Sequence, residues 1–166
     1  MNDDPIRIII TGGTFDKKYD EIKGVMTFRD SSLPDIIKKA RIFTPVEFEL
    51  IDLIDSLEMT DEHRALIREA CERSQEKRIV ITHGTDRMAE TARYLGPLGI
   101  NKTIIITGAM IPYQVYGSDA PFNFGGAFMA ARLMQAGVYV AMNGRVFPWQ
   151  DVRKDYEKGI FRPIDE

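Results

Sequence analysis

Cysteine, histidine and long apolar runs are all scarce in this chain of 166 residues, and each scarcity closes off a class of function. A single cysteine, Cys71, has no partner for an intrachain disulfide. Its helical spacing with Leu66, Ile67 and Ala70 marks it as a core residue, as free cysteines usually are. With only two histidines, His63 and His83, and no cluster at metal-ligand spacing, no metal site is expected. No apolar run approaches the roughly 20 residues that span a bilayer, so no membrane segment is expected. Basic runs are missing too, and the net charge of -3 is mild, which argues against a nucleic-acid partner. The opening Met1-Asn2-Asp3-Asp4 is acidic and leads straight into a strand-like run, unlike a signal peptide, so the cytoplasm is the expected compartment.

What is present is an ordinary globular composition, 44% apolar, at a length that suits one domain over residues 1–166. A chain of this size buries about two-thirds of its unfolded surface and needs no staple. Strand-like and helix-like segments alternate. Strands are predicted at 6–10, 48–51, 78–82, 103–107 and 138–142; four of these are near-continuous apolar runs, as in strands covered on both faces. Helical spacing predicts helices at 31–40, 61–76, 87–95 and 122–135. Thr60 suits the N-cap of the second, although His63 at the third position leaves its capping box incomplete. Repeated strand–helix units imply an α/β fold with a mainly parallel, doubly wound sheet. The segments 16–30 and 110–120 read as long irregular loops leaving strand ends, where a lid is useful.

Small polar residues gather at three of those ends. The first strand runs into Thr11-Gly12-Gly13-Thr14, the third into Thr82-His83-Gly84-Thr85-Asp86 and the fourth into Thr107-Gly108-Ala109-Met110. In a parallel sheet the three ends share one edge, the edge where ligands bind. Each also has a plainer reading. Gly12 and Gly13 suit a tight turn, Thr85 or Asp86 suits the N-cap of the next helix, and His83 suits a satisfied structural histidine. A nucleotide loop is a further alternative, though neither GxGxxG nor GxxxxGK[ST] is present. Alone, Lys154 reads as a solvated surface lysine.

These motifs, together with Asp119-Ala120-Pro121-Phe122-Asn123 and Asp151-Val152-Arg153-Lys154, occur in the order and spacing of one family. From about residue 6 to about residue 160 the chain resembles the amino-terminal domain of bacterial-type L-asparaginases, in a short single-domain form. The resemblance implies a flavodoxin-like sheet with strand order near 2-1-3-4-5. It implies hydrolysis of asparagine to aspartate and ammonia, with Thr14 as nucleophile and Tyr19 as its proton partner. A second group, Thr85, Asp86 and Lys154, then serves as a Thr–Lys–Asp triad. An alcohol needs such help, because it attacks weakly until a neighbour takes its proton.

The positions implied for substrate binding are Gly13, Ser56, Leu57, Gly84, Asp86 and Ala109. Asp86 suits the substrate's α-ammonium, while backbone N–H groups and the Ser56 hydroxyl suit its α-carboxylate. Leu57 stands where the family commonly has glutamine and removes one polar contact. No cofactor or metal is implied, and a homo-oligomer, dimer or tetramer, is expected; Phe147, Pro148 and Trp149 suit either such an interface or the core. Full-length relatives carry a second domain absent from these residues, which predicts weaker affinity and an open site. Glutamine is left open as a second substrate, since one methylene discriminates by only about 1–3 kcal/mol. The alternative from another class is a non-catalytic module that binds asparagine or aspartate, motivated by Leu57 and the missing domain.

Overall fold

The computed structural model describes residues 4–166; the acidic stretch at 1–3, which bears on the expected lack of a leader, lies outside the described residues. In chain order the strands are β1 (Ile6–Gly12), β2 (Lys18–Asp20), β3 (Val25–Thr27), β4 (Val46–Ile54), β5 (Arg78–Thr82), β6 (Thr103–Thr107), β7 (Gly137–Met142), β8 (Arg145–Pro148), β9 (Arg153–Asp155) and β10 (Ile160–Arg162). The helices are α1 (Leu33–Lys39), α2 (Asp61–Arg73), α3 (Met88–Leu95) and α4 (Ala120–Leu133). Six strands form one sheet in the order β4-β1-β5-β6-β7-β8. The first five are parallel neighbours, and β8 turns back antiparallel on β7. Counted by the five parallel strands alone, this is the expected order 2-1-3-4-5.

Strand geometry turns the apolar runs into two cores. Side chains alternate between faces, so Ile8, Ile10, Val80 and Ile105 pack beneath α1 and α4, against Leu33, Ile36, Phe124 and Phe128. Ile9, Ile79, Ile81, Ile104 and Ile106 point the other way, onto Ile67, Cys71, Ala92 and Leu95 of α2 and α3. A run that buries both faces has no polar side to show, which is why these strands read as continuous isoleucine and valine. Phe147 is buried and the Trp149 ring covers Gly96, where a Cβ would meet it at 2.1 Å. Both residues belong to the core rather than to an exposed face.

Two details depart from the sequence reading, and a third goes unmarked in it. The segment after Thr14 is not irregular: a 3₁₀ turn (Thr14–Asp16) leads into the hairpin β2–β3, whose turn is held by two N–H bonds to the Asp20 carboxylate, both 3.0 Å. The α2 cap is also complete, because the Thr60 N–H donates to His63 Nδ1 at 3.1 Å, the imidazole doing what a glutamate usually does. At the other end of α2, the buried Lys102 ammonium donates to the carbonyls of Cys71 (2.5 Å), Glu72 (3.1 Å) and Ser74, closing the helix with a cation. Among the described residues no helix is long and apolar enough to cross a membrane.

Candidate active site

Three backbones meet at the carboxyl edge of the sheet because glycine lets them. Gly13, past β1, sits at φ 74°, and a Cβ there would lie 2.3 Å from the Gly84 nitrogen. Gly84, past β5, backs in turn onto Ser56, where a Cβ would come within 2.5 Å of Oγ. The Gly13 N–H donates to Ile54 O at 2.8 Å, which ties the same turn to the end of β4. Loops carrying Thr14, Ser56 and Thr85 are thereby stacked, although they lie far apart in sequence.

The Thr85 side is bonded through its side chains. Lys154 Nζ donates to Thr85 Oγ1 at 2.8 Å and to Asp86 Oδ1 at 2.6 Å. The lysine side chain is only 8% exposed, so it is not the solvated surface residue that its sequence context suggests. It stands on β9 opposite Phe161 of β10, and Arg93 holds the nearby backbone by donating to Val152 O at 3.0 Å. Tyr156, unmarked in the sequence, completes the group. Its ring centroid lies 5.1 Å from Lys154 Nζ, and its hydroxyl donates to the Asp86 carbonyl at 2.9 Å. Burial, then the Asp86 and Glu90 charges, hold the phenol above its ordinary pKa, so it keeps the proton it donates.

The Thr14 side is held by its neighbours instead. Phe15 is buried edge-on to Phe124, with centroids 6.4 Å apart, and its carbonyl accepts the Tyr113 N–H at 3.3 Å. Asp16 Oδ1 accepts Ser31 Oγ–H at 3.0 Å and the Ser32 N–H at 2.7 Å. Lys17 pairs with Asp55 at 2.5 Å, and Lys18 pairs with Asp30. Four consecutive residues thus reach four different places, while the half-buried Thr14 hydroxyl makes no hydrogen bond among the described residues. Tyr19 is not brought to that hydroxyl. It is 59% exposed on β2, with its own hydroxyl beside Gly24 at the hairpin turn.

The remaining expected positions divide. Ser56 is buried, and its Oγ has no partner among the described residues. Leu57 is exposed, its N–H held by Asp55 at 3.1 Å, and Ala109 is buried past β6. His83 is buried, with Nδ1 2.7 Å from Gly84 O and Nε2 2.8 Å from Thr91 Oγ1. Burial pushes its pKa down to about 4, so it is neutral and saturated rather than a base. Thr11 and Thr107 donate to the Thr82 and Ala141 carbonyls, each at 2.8 Å, and lace strands together.

One network escapes the sequence reading. The Asp119 carboxylate accepts the N–H groups of Met110 and Ile111, at 3.0 and 2.9 Å. Asn123 Nδ2 donates to Asp119 Oδ2 at 2.9 Å and to Gly108 O at 3.0 Å. Asn123 Oδ1 accepts the Asn143 N–H at 3.2 Å, and Asn143 Oδ1 accepts the Phe161 N–H at 2.8 Å. The chain of bonds runs from the loop after β6 to the strand that faces Lys154. The motif around Asp119 is visible in the sequence, but nothing in its periodicity assigns this task. A groove of about 360 Å³ lies between α4 and β8; Asn123 forms part of its wall beside Phe122, Met129, Leu133 and Val146.

Comparison with known proteins bears on the same residues. The family profile "Asparaginase, N-terminal" matches residues 5–159. The "Probable L-asparaginase periplasmic" of Haemophilus influenzae is 30% identical over 159 residues, 90% of this chain and 46% of that protein. A "Glutaminase-asparaginase" of Acinetobacter glutaminasificans is 40% identical over 80 residues, covering 46% of this chain and 24% of the relative. The crystal structure of the "Probable Cytoplasmic L-asparaginase" from Campylobacter jejuni superposes with a TM-score of 0.83 at 29% identity, over 98% of this chain and 53% of that one. The chain therefore spans about half the length, or less, of the relatives it matches. A profile covering nearly every described residue, and the same sheet in the superposed structure, lead to one conclusion: the chain belongs to the asparaginase family.

Proposed function

We propose that this chain hydrolyses L-asparagine to aspartate and ammonia, with Thr14 as nucleophile and Thr85, Asp86 and Lys154 as the second catalytic group. The observation that carries the reading is Lys154 Nζ within 2.8 Å of an alcohol and 2.6 Å of a carboxylate, at the edge where Gly13 and Gly84 stack the two threonine loops. In the first step Thr14 Oγ bonds to the amide carbon. The C–N bond breaks, and the alcohol's proton leaves with the nitrogen as ammonia. In the second step water attacks the ester carbon, aspartate departs and Thr14 regains its proton. Backbone N–H groups near Thr14 and Thr85 are proposed as donors to the oxyanion, which needs preorganised partners.

Tyr19 takes the Thr14 proton only if the β2–β3 hairpin closes over the site, since its hydroxyl rests beside Gly24. Asp86 receives the substrate's α-ammonium. Gly13, Ser56, Leu57, Gly84 and Ala109 line the remainder, and the unpartnered Ser56 Oγ is suited to the α-carboxylate. Glutamine is proposed as a slower substrate, in keeping with the name of the Acinetobacter relative. A homo-oligomer and a cytoplasmic setting are likewise proposed, the latter supported by the Campylobacter relative, itself described as cytoplasmic. The reading is tested by ammonia release from asparagine in Thr14→Ala, Thr85→Ala and Lys154→Met. Activity surviving loss of both threonines rules out the mechanism. The exposed Leu57, and a Tyr19 hydroxyl that rests beside Gly24, favour a second reading, a binding module without turnover. Calorimetric binding of aspartate with no ammonia released over hours is its signature.

A further inference from the structure

Asp16 is a costly residue for its place. It is fully buried two positions after Thr14, and only one of its oxygens is used. Oδ2 has no partner among the described residues, and neither has the buried hydroxyl of Ser32, whose N–H the same carboxylate holds. The charges that reach Asp16 are Lys18 and Asp30, which pair with each other and so offer little net compensation. Burial raises its pKa to about 6, against the lowering effect of Ser32, Ser31 and Lys18. An asparagine would accept the same two hydrogen bonds through Oδ1 with no charge to bury. The fold alone therefore does not call for an acid here.

What the acid adds is strength. Hydrogen bonds to an ionised acceptor are roughly twice as strong as neutral ones. These two join the turn that begins at Thr14 to the segment leading into α1. We infer that Asp16 is a positioning residue for Thr14, holding the nucleophile's turn against Ser31 and Ser32 when ionised and loosening it when protonated. The inference rests on Thr14 being the nucleophile. A displacement of about 1 Å at an attacking atom costs on the order of 100-fold in rate, so a modest slackening of the turn is enough to register.

The experiment is steady-state ammonia release by the full chain from pH 5 to 8. In the parent protein kcat/KM falls on the acid side with an apparent pKa near 6, the value belonging to the free enzyme. Asp16→Asn is expected to lower kcat by about tenfold at pH 8 with KM nearly unchanged, and to remove the acid limb. Ser31→Ala keeps the Ser32 N–H bond to the carboxylate and removes the hydroxyl donor, together with the Leu33 N–H bond that the hydroxyl accepts. It is expected to move the limb to higher pH, a shift that a merely structural serine would not produce. An unchanged limb in Ser31→Ala, or a retained limb in Asp16→Asn, overturns the inference, and the serine variant decides alone if Asp16→Asn does not fold. Thr14→Ala separates the two levels. Activity persisting in that variant defeats the nucleophile assignment, whereas its loss beside unchanged Asp16 and Ser31 profiles defeats only the positioning role.

Discussion

The two threonine loops occupy the same sheet edge but are secured in opposite ways. Thr85 is held by its own side chain, bonded to Lys154, with Asp86 and Tyr156 closing the group. Thr14 is held by everything except its side chain: Phe15, Asp16, Lys17 and Lys18 each anchor the backbone elsewhere and leave the hydroxyl without a partner. One half is a finished network, and the other is a rigid mount for a free alcohol. The contrast fits the proposed roles: a nucleophile left free to bond the substrate, beside a second group assembled before the substrate arrives.

Substitutions can break that contrast. Thr14→Ala and Lys154→Met are both expected to lower kcat by roughly 1000-fold or more in an ammonia-release assay. Their effects on stability should differ. Thr14→Ala removes an unpartnered group and should leave the urea midpoint nearly unmoved. Thr85→Ala strips a bond from a buried cluster and should cost about 1 kcal/mol. Next in size is Gly84→Ala, whose Cβ would meet Ser56 at 2.5 Å. Overpacking of this kind costs about 3 kcal/mol, read from denaturant unfolding.

Acid titration sharpens the same comparison, because the two halves respond with opposite sign. His83, behind Thr85, has a folded pKa of about 4 against an ordinary 6.5, so its contribution is present above 6.5 and is lost as pH falls toward 4. Asp16, behind Thr14, has a folded pKa of about 6 against 3.8, so its contribution is full below 3.8 and is lost as pH rises through 6. Each amounts to about 3 kcal/mol, and the two offset one another in the parent protein. Asp16→Asn leaves the histidine unopposed, so its unfolding free energy should drop by about 3 kcal/mol between pH 7 and pH 4. The smallest expected effect is Tyr156→Phe, which keeps the ring over Lys154 and loses one hydrogen bond, at about 1 kcal/mol or a few-fold in kcat.

Four of the five parallel strands are legible in the sequence because burial on both faces writes itself as nearly unbroken apolar runs, whereas β4, at the sheet edge, carries Glu47, Glu49 and Asp52 among its apolar residues. The convergence of Thr85, Asp86 and Lys154 is legible only through ordered motifs, since nothing local distinguishes Lys154 from a surface lysine. The hairpins β2–β3 and β9–β10 are not legible. Their strands are three residues long, too short for alternation to show, and they depend on partners rather than on propensity. Tyr156 escapes for the same reason. His63 does not read as a capping residue because the rule names glutamate, while the backbone donor asks only for an acceptor at the right height.

The bonds that run from Asp119 through Asn123 and Asn143 to Phe161 have a mechanical consequence. Each amide passes the connection on by using one atom to receive and another to give, so no link can slip without its neighbour losing register. Lifting the segment at 110–119 away from the sheet therefore tugs on the strand opposite Lys154. The loop beyond β6 and the pairing partner of Lys154 thus share one continuous line of hydrogen bonds.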